Sequence, residues 1–259
     1  MSRLFKVRMK IQTVRYCISS ILVPFLLLPF SLFAQEEGTW KQASPSSQAY
    51  HEYRLKNTIP PYGLVKIKAL IAQIKGAEDD SKSPLNQKAY LALPLNEKFT
   101  YHMIHAESYS QNCDAVPPII DEDKKIFGTL PDAFNESSWS ERQANFLKSQ
   151  KDAVVSLIKE SVNRSKRVGL NYKTALVEMN ATETIPFLIE VYNRDHKDYD
   201  ILTVLMLLMK NNEYKPFMMS TSFIKLYGDK SDAQSFINYN KANEELIISR
   251  AMAFYNGRK

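Results

Sequence analysis

The chain has 259 residues, 34 Lys+Arg against 28 Asp+Glu, a formal net charge of +6, and two cysteines. Five of the cations (Arg3, Lys6, Arg8, Lys10 and Arg15) and no acid lie in residues 1–34, so 29 basic side chains face 28 acidic ones in the remainder. That near balance excludes a nucleic-acid binder, which needs clustered cations against phosphate, and gives no reason to expect an anionic membrane surface.

Residues 1–34 form the pattern of a secretory signal peptide: a basic start, an apolar run over 21–33, and a small residue at Ala34 before Gln35. The run falls short of the ~20 residues that a spanning helix needs, and Pro24 and Pro29 interrupt it. The expectation is cleavage and export, to the periplasm or beyond, with no stable membrane insertion afterwards. Cys113 is then the single cysteine of the exported chain, so no internal disulfide can form, and about 225 residues must rely on an ordinary core.

Residues 35–61 lack periodicity and are rich in Gln, Ser, Pro and Tyr, which predicts an N-terminal arm or linker ending at Pro60-Pro61. Residues 62–259 predict a single helical domain, with a subdivision near 130–137. Leu64, Ile67, Leu70, Ile71 and Ile74 recur at helical spacing, closed by Gly76. Residues 77–84 are charged and contain serine, a surface loop. Asn96 is placed to cap a helix through Phe99, Met103 and Ala106. Asp121-Glu122-Asp123 fits a helix start, where negative charge complements the macrodipole.

Ser138-Trp139-Ser140-Glu141 has capping-box spacing. Val154, Val155, Ile158 and Val162 form another apolar stripe, and Pro186 suits the first turn of the next helix. Residues 201–209 are continuously apolar except for Thr203; periodicity alone does not separate a buried strand from a buried helix there, but Leu and Met favour helix. Ser231-Asp232-Ala233-Gln234 predicts the start of a last helix through Phe236, Tyr239, Leu246, Ile247 and Phe254. No alternating strand and no Asn-Gly or Asp-Gly hairpin turn is found. The fold class expected is all-α, an irregular helical domain.

Ala181, the run Ile185-Pro186-Phe187-Leu188-Ile189, a polar turn and the apolar second helix give residues 180–214 a pattern that resembles a HEAT-type helical hairpin. Such a resemblance implies antiparallel helix pairs and a binding surface, without naming a partner. Weaker echoes follow Pro60-Pro61, Pro118 and Pro216, at no regular period.

The densest set of chemistry-bearing residues is Tyr101-His102-Met103-Ile104-His105-Ala106-Glu107, followed by Cys113 and Asp114. His102 and His105 are three residues apart on a predicted helix, where side chains converge. With Glu107 and Cys113 they supply the imidazole, carboxylate and thiolate that zinc takes. The order His-x-x-His-x-Glu is not that of zinc peptidases, and Glu107 points elsewhere unless the helix ends near it. The structural alternative has His105 hydrogen-bonded on a polar face between Tyr101 and Tyr109, with His102 partly exposed. Cys113 as a nucleophile is opposed by Asp114, because a neighbouring carboxylate disfavours the thiolate. Asp195, Asp198 and Asp200 resemble a calcium loop only in outline, without the central glycine and terminal glutamate; His196 among them is expected to be exposed.

The leading expectation is therefore an exported, non-enzymatic helical protein that binds a protein partner in a bacterial envelope, with no nucleic acid and no cofactor. A metal-dependent hydrolase using His102, His105, Glu107 and Cys113 with zinc is the first alternative, and a helical small-ligand carrier the second.

Overall fold

The computed structural model describes residues 42–74, 84–109 and 117–258. Among them run twelve α-helices: α1 (Pro45–Leu55), α2 (Leu64–Ala72), α3 (Gln87–Leu91), α4 (Leu95–Ile104), α5 (Glu141–Ser149), α6 (Lys151–Ser165), α7 (Leu170–Glu178), α8 (Ile185–Tyr192), α9 (Tyr199–Asn211), α10 (Lys215–Met218), α11 (Thr221–Tyr227) and α12 (Lys241–Asn256). Two short antiparallel ladders complete the set. β1 (Ser108–Tyr109) pairs with β3 (Ser137–Ser138), and β2 (Lys125–Phe127) pairs with β4 (Phe236–Asn238) with Ile126 opposite Ile237. The fold is mostly α, as expected. The strands escape the sequence because two or three residues are too few to show alternation.

Helix α9 is the centre. Ile201, Leu202, Val204, Leu205, Met206, Leu208 and Met209 are all buried, as a helix that is apolar on every side requires. It packs on α7, α8, α12 and β2. Its all-round burial settles the helix-or-strand ambiguity of residues 201–209. Around it, α6 contributes Val154, Val155, Ile158 and Val162, the predicted stripe, to the same core. A smaller cluster of Ile67, Leu85, Tyr90, Leu93 and Tyr101 joins α2, α3 and α4.

Several boundaries differ from expectation. The region read as an arm contains α1, capped by Ser44, whose side chain accepts from the Ser47 N–H. The chain after it is anchored at the start of α7. There the Leu170 N–H donates to the Lys56 carbonyl (3.0 Å), and the Asn171 N–H donates to Asn57 Oδ1 (2.9 Å). These satisfy N–H groups that a helix start leaves without partners. Helix α4 starts after Pro94, not Asn96, and ends at Ile104, before Ala106. The capping box is real but two residues later than the first serine: Ser140 pairs with Gln143, while Ser138 belongs to β3. The last helix begins at Lys241 with Asn240 as its cap. At the expected start, Asp232 instead accepts from the Gln234 N–H and the Ser235 hydroxyl, closing a turn before β4. The described residues belong to one compact unit, and both ladders tie the chain across residues 130–137.

Candidate functional site

Helix α4 ends at Ile104 because the chain turns extended at His105, its C-cap, and this brings His102, His105 and Glu107 into one neighbourhood without making them converge. His102 is fully buried, against the expectation of partial exposure. Gln143 of α5 decides its chemistry. Its Oε1 accepts from the Glu107 N–H at 2.9 Å and the Ser140 N–H at 3.2 Å, so its amide NH2 faces the other way, donating to His102 Nδ1 (2.9 Å) and the His105 carbonyl (2.8 Å). His102 Nδ1 is thereby the acceptor, and the proton of the neutral ring sits on Nε2, 3.1 Å from the Tyr90 hydroxyl. Burial pushes the His102 pKa down to about 3. Both ring nitrogens are already bonded to protein groups.

Glu107 is engaged in the same way. It is salt-bridged to Arg142 and accepts from Ser140 Oγ at 2.5 Å and from the Tyr101 hydroxyl at 2.7 Å. Burial raises its pKa, but these donors outweigh burial and hold the carboxyl below its usual range. Arg142 also lies over the Tyr90 ring, 4.1 Å from its centroid. The arrangement staples α3, α4 and α5 together. His105 is buried beside the Tyr101 ring, and Cys113 lies outside the described residues. Among the described residues no three His, Cys, Asp or Glu side chains assemble around a point suited to a metal ion.

A second constellation was not anticipated from the sequence. Five charged side chains from four elements are buried together: Arg54 on α1, Glu122 on the short 3-10 turn Glu122–Lys124, Lys173 on α7, and Asp198 and Asp200 at the start of α9. Arg54 grips Asp200 through Nη2 (2.8 Å) and Nε (3.3 Å) and reaches Glu122 through Nη1 (3.0 Å). Its guanidinium stands 4.2 Å from the Phe127 ring centroid. Lys173 Nζ lies 2.5 Å from Asp198 Oδ1 and 3.8 Å from Asp200 Oδ2. His51 Nδ1 is 3.0 Å from both oxygens of Glu122.

Burial opposes the charge on Arg54, but its pairing with Asp200 and Glu122 overcomes that and raises its pKa. Burial pushes the Asp198 carboxyl up, with Lys173 pulling the other way, and Asp198 Oδ2 has no hydrogen-bond partner. Lysine and arginine are seldom buried unless paired. The signals available in the sequence were Lys173 on the helix face of Leu170, Leu176 and Val177, and the polar stripe Ser47, His51, Arg54 at i, i+4, i+7.

At the other end of the α8–α9 connection, His196 is exposed as expected, with its Nδ1 2.7 Å from Glu244 Oε1. Glu244 Oε2 accepts from the Tyr239 hydroxyl at 2.8 Å, and Tyr239 stacks on Tyr199 at 4.0 Å. A buried carboxylate thus orients an exposed imidazole.

The chain matches no family model, no curated protein and no solved structure.

Proposed function

We propose that the chain is an exported, non-enzymatic binding module that engages a protein partner through its helical surface. The observation that carries this reading is α2. Its sequence, Leu64-Val65-Lys66-Ile67-Lys68-Ala69-Leu70-Ile71-Ala72, is apolar apart from two lysines, yet only Ile67 is buried. Val65 is 85% exposed and the neighbouring Ile59 50%. Beside them an open groove of about 410 Å³ is lined by Asn57, Ile59, Lys68, Ile71, Ala72, Met103 and Ile104. An apolar helix left on the surface costs hydration free energy that a partner would recover, at ~25 cal/mol per Å² covered.

Residues 1–34 support export, and no helix of the described residues is long and apolar enough to cross a membrane. The HEAT-type resemblance of residues 180–214 belongs to the same reading, in which paired helices leave a surface for a partner. Against the hydrolase alternative stands the state of its named residues: His102 and Glu107 spend their polar atoms on internal bonds.

A photo-reactive residue in place of Val65, in the full chain expressed in its native envelope, tests the proposal. One discrete adduct is expected, lost when Ile59→Glu is added and absent when the probe replaces Ser249 on α12. No adduct at Val65 removes the reading.

A further inference from the structure

Helix α1 docks through polar groups rather than apolar ones. Ser47, His51 and Arg54 share one helix face. Ser47 Oγ donates to Asp123 Oδ1 at 2.6 Å, His51 bridges Glu122, and Arg54 enters the charge cluster. The buried residues of α1 are Ser47 and Arg54, and its one long aliphatic side chain, Leu55, is 40% exposed. Tyr50 and Tyr53 add ring contacts, Tyr50 on Tyr199 at 5.3 Å and Tyr53 beneath Arg167.

The receiving side is built entirely by other elements. Asp200 stands on α9, Phe127 on β2 and Glu122 on the 3-10 turn. Each also has a partner outside α1, although His51 of α1 reaches Glu122 as well. Glu122 Oε2 accepts from the Ile119 N–H at 3.1 Å, the Phe127 carbonyl accepts from Thr203 Oγ1 at 2.8 Å, and Asp200 has Lys173 nearby. Together they present a carboxylate that takes two N–H groups, a second carboxylate for a third N–H, and an aromatic face. That combination answers the planarity, the fork and the delocalised charge of a guanidinium, and an ammonium satisfies only the charge.

We propose that Glu122, Asp200 and Phe127 form a guanidinium-recognition socket whose resident ligand is Arg54 of α1, and which accepts an alkylguanidinium supplied in trans once that side chain is removed. With Arg54 withdrawn, three carboxylates, Glu122, Asp198 and Asp200, remain with Lys173 at Asp198, His51 at Glu122 and the charge of Arg167 acting on Asp198, and Asp200 loses its two-point partner, so the floor favours a cation. This inference does not depend on the α2 surface.

The test is chemical rescue of Arg54→Ala in the full chain with N-ethylguanidinium, the fragment that the substitution removes. The variant should melt below the wild type. Millimolar N-ethylguanidinium should raise its Tm saturably by several degrees and leave the wild-type Tm unchanged. Ethylammonium at equal ionic strength should do neither, and Arg54→Lys should stay below the wild type. Equal rescue by ethylammonium, or a wild-type Tm for Arg54→Lys, would mean that charge alone is recognised and would overturn the proposal. So would the absence of any rescue. If Arg54→Ala does not fold by itself, it is refolded with each compound: recovery of the helical circular-dichroism signal with N-ethylguanidinium alone supports the socket, and failure with both overturns it.

Discussion

Arg54 and Asp200, 146 residues apart in the chain, meet in a two-point contact, Nη2 to Oδ1 at 2.8 Å and Nε to Oδ2 at 3.3 Å. Both side chains are almost wholly buried. The contact fixes the first described helix to the central one, and it makes each partner costly to remove alone.

Breaking a buried ion pair from one side costs about 3–5 kcal/mol, since the remaining charge keeps its desolvation penalty without its partner. Lys173→Met should therefore lower stability by about that amount, because the buried Asp198 loses its ion-pair partner while Asp200 keeps Arg54. Lys173→Met combined with Asp198→Asn should recover part of the loss, a non-additivity expected of residues in contact. Urea unfolding of the three variants checks this. A double variant as unstable as the sum of the singles would show that the pair is not coupled.

Gly169 is required by a close approach rather than by its dihedral angles. A Cβ there would stand 2.1 Å from the Thr58 backbone N and 2.8 Å from Asn171 Oδ1. Asn171 Oδ1 accepts the Thr58 N–H, and its Nδ2 donates to the carbonyls of Thr58 and Met103. Gly169→Ala should therefore push residues 56–58 off the start of α7 and cost at least the ~1–3 kcal/mol of an overpacked site. Calorimetric melting of the variant measures it; a Tm within a degree of the wild type would contradict the geometry.

His102 and Glu107 both make stability fall on the acid side, because the folded pKa of each is lowered. The folded His102 pKa, about 3, lies below the ~6.5 of an unfolded histidine. The unfolded chain thus binds the extra proton between these values, so the contribution is complete above pH 6.5 and is lost progressively as pH falls toward 3. Glu107 has a lowered folded pKa; its contribution is present above the unfolded carboxyl pKa and is lost as pH falls through the folded one. Urea midpoints between pH 7.5 and 4 should decline, and the decline should be shallower in His102→Gln. An NMR titration should show His102 neutral throughout that range. A His102 titration near pH 6.5 would remove the argument.

Gln143 holds four groups at once, so Gln143→Leu should be more damaging than its volume implies. The N–H of Glu107, the His105 carbonyl and His102 Nδ1 lose partners in a dry site, at ~1–3 kcal/mol for each buried group left unmet. Zinc content, measured on the untagged chain, is expected to be far below one per molecule in the wild type and in His102→Ala alike, because both His102 nitrogens are committed to Gln143 and Tyr90. Stoichiometric zinc that disappears in His102→Ala would restore the hydrolase alternative.

The sequence by itself determined the helical class and most of the helices that pack by apolar stripes. Val154 to Val162 announces itself because a buried face repeats with the period of the helix; Ile201 to Met209 reads as helix through its Leu and Met, and Leu64 to Ile71 through an apolar period of which the fold buries Ile67 alone. Proline at the start of α8 is a local signal read from local chemistry, and the capping box read at Ser138–Glu141 falls two residues before the one that forms at Ser140 and Gln143. What only the tertiary structure decided are the interactions whose partners are distant and polar. Helix α1 was hidden because its docking stripe is Ser47, His51 and Arg54, which a search for apolar periodicity passes over. Asp198 and Asp200 offered only the outline of a calcium loop until Lys173 and Arg54 were placed beside them. His102 and Glu107 looked like ligands until Gln143 and Arg142, more than thirty residues onward, took up their polar atoms. Hydrophobic burial is legible along the chain because it needs only a face, whereas a buried charge needs a particular partner, and the fold alone says which one arrives.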